Sequence, residues 1–96
     1  MLYALICTDK PGQLQVRVDT RPDHVAYLKN LGGNLKFAGP FLDGEGKPNG
    51  SLVVIMAEDV AGARAIAAGD PYAKAGLFAS VDIRPWTWAI NNPETA

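Results

Sequence analysis

The sequence predicts an α+β domain of the ferredoxin-like, split βαβ kind: a four-stranded antiparallel sheet with helices on one face. Three observations lead there. Segments of strand and helix character follow one another in the order strand, helix, strand, strand, helix, strand. Glycine and proline clusters stand at the joints between them, where turns need the backbone freedom of one and the fixed φ of the other. The 96 residues, 48% hydrophobic and 20% charged, suffice for one core, so residues 1–96 read as a single domain.

The first strand is the apolar run of residues 2–8, closed by the turn chemistry of Asp9-Lys10-Pro11-Gly12. Residues 13–19 alternate Leu14, Val16 and Val18 with polar neighbours, which fits either a strand or an extended lead-in. The first helix is expected from about Thr20: Asp19 or Thr20 can cap it, Pro22 suits its first turn, and Leu31-Gly32-Gly33 stops it. Tyr27, Leu28 and Leu31 stand at i+3, i+4 and i+7 from His24, so the histidine shares the inward face, with Arg21 one turn before it.

The second strand covers about residues 34–42, and its Gly39-Pro40 pair predicts a bulge or an edge position, because proline cannot donate to a ladder. Residues 43–50 are a hairpin loop by composition, and Ser51–Ala57 is a third strand, apolar on both faces. Glu58-Asp59 opens a second helix that Gly69 ends. Asp70-Pro71 restarts a helical turn through about Lys74, a fourth strand runs from Leu77 to about Trp86, and residues 89–96 form a loose tail. With helices on one face only, the apolar residues of the other need a cover, and a homodimer through that open sheet face supplies it.

Bulk properties exclude several function classes. A net charge of −1 without a basic cluster argues against nucleic acid as a partner. No apolar run approaches the roughly 20 residues of a membrane span, and the N-terminus lacks the pattern of a signal peptide. The one cysteine, Cys7, forms no internal disulfide, so a cytoplasmic location is expected. No metal site is expected, since no CxxC or HExxH spacing occurs, nor is any cofactor. Asp43-Gly44-Glu45-Gly46 joins two strands and is acidic, so it is no phosphate cradle.

His24, the single histidine, is the one side chain suited to proton transfer near neutral pH. If the distant Asp70 reaches it, the carboxylate fixes the tautomer and favours the imidazolium. Arg21 can anchor an anionic group. Each has a plainer role open to it: His24 as a hydrogen-bonded core residue, Asp70 as the N-cap of the Pro71 turn, Ser51 as a partner of backbone. Capping also competes with serving His24. Cys7 reads as an inert buried thiol, and Tyr72, Trp86 and Trp88 as pocket, core or interface.

Several stretches, in order, extend this reading: Leu2-Tyr3-Ala4-Leu5, Arg21-Pro22-Asp23-His24-Val25-Ala26-Tyr27-Leu28, Gly39-Pro40, Gly50-Ser51, Asp70-Pro71-Tyr72 and Val81-Asp82-Ile83-Arg84-Pro85-Trp86. Together they resemble the YciI-like (YCII-related) family of small, dimeric ferredoxin-like proteins, the dimeric α/β-barrel type, along nearly the whole chain. The resemblance implies a pocket with a catalytic His24–Asp70 pair; substrate contacts are expected from Arg21, Ser51, Gly39, Pro40 and Tyr72. Family members include enzymes linked to breakdown of chlorinated hydroxylated aromatics and domains attached to regulatory proteins. The expected function is therefore a cofactor-independent lyase, isomerase or hydrolase acting on a small polar cyclic or aromatic compound. The alternatives are a non-catalytic ligand-binding or regulatory dimer and a purely structural dimerisation unit.

Overall fold

The computed structural model describes residues 1–95. The elements run β1 (Leu2–Asp9), α1 (Leu14–Asn30), β2 (Leu35–Leu42), β3 (Pro48–Met56), α2 (Val60–Gly69), α3 (Pro71–Lys74) and β4 (Phe78–Trp86). The four strands form one antiparallel sheet in the order β2-β3-β1-β4. This is the expected ferredoxin-like arrangement. No helix among the described residues is long and apolar enough to cross a membrane.

Strand alternation sorts the side chains between two faces. Tyr3, Leu5 and Cys7 of β1 and Val53 and Ile55 of β3 turn toward the helices, where Leu28 of α1 and Ala63 and Ala67 of α2 complete the buried core. Tyr27 clamps the two long helices by donating its hydroxyl to the Ile66 carbonyl at 2.7 Å. The close approach needs a residue without a side chain: a Cβ on Gly69 would stand 2.5 Å from the Tyr27 hydroxyl. Gly50 is similarly required, since a Cβ there would meet the Cys7 carbonyl oxygen at 2.5 Å.

The first helix begins at Leu14, six residues before the expected start at Thr20. Residues 14–19 are helical, neither strand nor lead-in, and Pro22 lies inside the helix. The alternation there misleads because Leu14 and Val18 face solvent while the charged Arg17 is buried. Pro22 and Val18 are both exposed, so the carbonyl that loses its i→i−4 partner stands on the wet side of the helix.

β2 is an edge strand, as Pro40 requires, but its irregularities lie between Leu35 and Phe37 and between Phe41 and Leu42, not at Gly39-Pro40. β3 starts at Pro48, which shortens the expected 43–50 loop. The side chain of Asp59 caps α2 through the Gly62 amide. Residues 89–95 carry no regular element; Lys36 donates to Glu94 at 2.8 Å, and Asn92 donates locally to the Trp88 carbonyl. Ala96, the last residue of the expected tail, lies outside the described residues.

The open face is partly self-covered. Ala4 and Val54 are buried on it although no helix lies over them. By register, Trp86 of β4 and Phe37 of β2 stand on this face at opposite edges of the sheet. Their ring centroids are nevertheless 5.7 Å apart, and Trp88 lies 5.0 Å from Phe37. The aromatic rings thus bridge the two middle strands and roof the small residues between them. Ile6 and Leu52 stay half-buried on the remainder of that face, beside the exposed Phe41.

Candidate functional site

The sites of chemistry gather along one stripe of α1. Arg17, Arg21, His24 and Leu28 recur at i, i+4, i+7 and i+11, so all four face the same way. Opposite them stand Ser51 on β3 and Tyr72 on α3, and the space between is a cavity of about 230 Å³. Four of its polar neighbours are buried: Arg17, His24, Ser51 and Asp70.

His24 and Asp70 meet across 46 residues of sequence. Nδ1 lies 2.9 Å from each Asp70 oxygen. A carboxylate accepts, so Nδ1 carries the proton and Nε2 is the nitrogen left free. Asp70 also caps α3, accepting from the Tyr72 amide at 2.9 Å. The expected competition between capping and pairing is therefore absent, because a carboxylate has about four acceptor positions and both partners fit on it. Tyr72, which the sequence offers as a pocket residue, lines the cavity and is 1% exposed. Its ring stacks on the His24 imidazole with centroids 3.9 Å apart.

A second ion pair, missed by the sequence reading, stands beside the first. Arg17 donates Nε to Asp9 Oδ2 at 2.7 Å and Nη2 to Asp9 Oδ1 at 2.8 Å, and both side chains are buried. Burial opposes the guanidinium charge, but the hydrogen bond and charge of Asp9 outweigh it and raise the pKa above the ordinary arginine value. Nη2 also donates to Ser51 Oγ at 3.0 Å, and the guanidinium carbon lies 4.6 Å over the Tyr72 ring. The Tyr72 phenol is itself raised, mainly by burial and against the pull of Arg17. The signal for Arg17 was its place seven residues before His24, visible only once the helix is extended back to Leu14. Asp9 ends β1 with no periodicity to mark it.

The remaining expected residues fall around the same cavity. Arg21, Gly39, Pro40 and Ser51 line it, with Arg21 exposed at the rim and Gly39 and Pro40 on the edge strand. Cys7 pairs with Ser51 across β1 and β3, behind the cavity wall, and does not line it. Burial, together with the nearby Asp70 and Asp9 carboxylates, pushes its thiol up to about 12 against the lesser pull of Arg17. Among the described residues, no group of three or more His, Cys, Asp or Glu gathers as a metal site would need.

Comparison with known proteins gives a consistent picture. A family profile described as the YCII-related domain matches residues 1–87. The YciI protein of Escherichia coli is 36% identical over 94 residues, covering 90% of this chain and 96% of that protein. Among solved structures, 5-chloro-2-hydroxyhydroquinone dehydrochlorinase from Burkholderia phenoliruptrix, in complex with 2,5-dihydroxybenzoquinone, superposes with a TM-score of 0.85 at 34% identity. The match covers 91% of this chain and 94% of that one. A NIPSNAP family protein from Agrobacterium tumefaciens shares the fold alone, at a TM-score of 0.58 and 17% identity, with 98% and 97% of the two chains covered.

Two outcomes follow from the buried groups. Asp9→Ala leaves the Arg17 guanidinium buried without its partner and lowers stability by about 3–5 kcal/mol. The Asp9→Asn/Arg17→Met double variant loses less than Asp9→Ala, and urea unfolding of the set checks the order; equal losses would refute the coupling. For Cys7, the rise from 9.0 to about 12 leaves about 10³-fold less thiolate at neutral pH in the folded chain. Native protein is therefore expected to resist alkylation by iodoacetamide, with labelling appearing only in denaturant. The folded state holds this proton more tightly than the unfolded, so Cys7 also withdraws stability as pH rises above about 9. A Cys7→Ala variant should show a shallower alkaline decline.

Proposed function

The chain belongs to the YCII-related family, and from that premise we propose that it is a cofactor-independent acid/base enzyme acting on a small hydroxylated ring compound. The observation that carries this reading is the His24–Asp70 pair at 2.9 Å beside a cavity that His24 lines. Asp70 holds the proton on Nδ1 and steadies the imidazolium that forms during reaction, while Nε2 takes a proton from the substrate and returns one. Asp70 is a positioning residue, and Arg21 and Ser51 hold the polar end of the substrate.

The size of the cavity supports a single ring. A cavity of about 150 Å³ already binds benzene, so the 230 Å³ here admits one ring with a few oxygen or halogen substituents. The dehydrochlorinase relative offers the reaction type. Loss of hydrogen chloride from a hydroxylated ring removes one proton and one chloride and consumes no oxidant, so a single proton-carrying side chain suffices. Acid/base help of that kind contributes about 10²–10⁴-fold.

The test is chloride release from 5-chloro-2-hydroxyhydroquinone. The wild type should accelerate it above the spontaneous rate, and His24→Ala should lose about 10²–10⁴ of the acceleration. In ¹⁵N NMR the single histidine should show the Nδ1–H tautomer, giving way to a mixture in Asp70→Asn. A ligand-binding or regulatory module would instead bind without turnover, and an unchanged rate in His24→Ala would refute the enzyme reading.

The assembly expected here is a homodimer through the uncovered part of the open sheet face, where the 42% exposed Phe41 lies beside the half-buried Leu52 and Ile6. Sedimentation should give a dimer for the wild type and a monomer for Leu52→Lys/Phe41→Asp. A monomeric wild type would rule this interface out.

A further inference from the structure

Apart from His24, whose free Nε2 accepts, the charged and hydroxyl side chains that line the cavity offer donors, and the carboxylates nearest them are turned away. Asp9 uses both oxygens on Arg17, and Asp70 uses its own on His24 and the Tyr72 amide. Neither carboxylate lines the cavity, whereas Arg17, Arg21, His24 and Ser51 all do.

Ser51 is fixed in the donor role by its neighbour. Its Oγ accepts from the Arg17 guanidinium at 3.0 Å, so a cation occupies one lone pair. Among the described residues no acceptor takes the Ser51 proton, which leaves it for a ligand. Arg17 itself is neutralised by Asp9, but Arg21 has no carboxylate partner among the described residues and stands exposed at the rim. It is the one full positive charge on the wall that no protein group balances. The rest of the wall is apolar, with Val18, Leu28 and Val53 among its members.

From this arrangement we propose that the cavity selects a single-ring organic anion, its oxygen atoms received by the Ser51 hydroxyl and the Arg21 guanidinium and its ring held against the apolar wall. This rests on the reading of the cavity as the substrate site and adds the charge state of what enters. An uncharged ring of the same shape keeps the apolar contacts but leaves Arg21 unmatched. A compound that mainly donates hydrogen bonds finds little beyond the His24 Nε2 to receive them and loses its water partners.

Benzoate and nitrobenzene provide the test, since both carry two oxygens on one ring carbon substituent and differ in charge. Each is titrated into ¹⁵N-labelled protein at neutral pH, following the amide signals of His24 and Ser51. Benzoate should bind about tenfold or more tightly than nitrobenzene, as expected of a charge-assisted contact. Arg21→Gln, an exposed position, should erase most of that preference. Ser51→Ala should weaken benzoate about fivefold to tenfold. Equal affinities, a preference for nitrobenzene, or no binding of either probe would overturn the proposal, as would an undiminished preference in Arg21→Gln. Selective benzoate binding without any chloride release would leave this inference standing and remove the enzyme reading.

Discussion

The Asp9–Arg17 ion pair is the interaction on which the site depends. A guanidinium buried without a partner is costly, and a domain this small has little stability to spare. Two parallel N–H···O bonds at 2.7 and 2.8 Å answer that cost and also fix geometry. They join the last residue of β1 to the first turns of α1, which sets how that helix lies on the sheet. With Arg17 held, its Nη2 reaches Ser51 on β3 and its guanidinium carbon covers Tyr72 on α3. One pair thus gathers four elements around the cavity.

Tyr72 carries this order across to the second pair. One of its neighbours is the Arg17 guanidinium at 4.6 Å and another is the His24 imidazole, stacked at 3.9 Å and inclined by only 17°. Its backbone amide binds Asp70, the same carboxylate that holds His24. Ring, amide and carboxylate together restrict the imidazole in plane and in tautomer. The cap of a four-residue helix is therefore also the support of the histidine, and Asp70-Pro71-Tyr72 performs both with adjacent residues.

Strands and short helices were legible because their signals are local: Pro11-Gly12, the Asp59 cap and the Asp70-Pro71 start each act within a few residues. The beginning of α1 was not, and the reason is the site itself. Its stripe toward the cavity begins with Arg17 and Arg21, while Leu14 is exposed and Val18 reaches only the cavity rim, so hydrophobic periodicity is inverted where the helix faces polar groups. The pairing of His24 with Asp70 lay beyond periodicity as well. It depends on α1 and α3 packing together, and only the family resemblance pointed to it. Asp9 carried no sequence signal, since an acid at a strand end before Pro-Gly reads as an ordinary turn.

The placement of the bulges in β2 follows from the need to serve two faces with one strand. Side chains alternate, so a slip of one residue would exchange every partner. Between the irregularities at Leu35/Phe37 and Phe41/Leu42, β2 runs in regular register with β3, pairing Ala38 with Val53 and Pro40 with Ser51. Those positions share the helix-side face with the cavity, while Phe37 and Phe41 go to the open face with Val54 and Gly50. A bulge at Gly39-Pro40 would have broken the alternation in the middle and sent Ala38 and Pro40 to opposite faces. Moved to the two ends, the irregularities leave the cavity wall and the aromatic surface on separate sides of one sheet. The aromatic surface and the cavity wall are thus set by the same register.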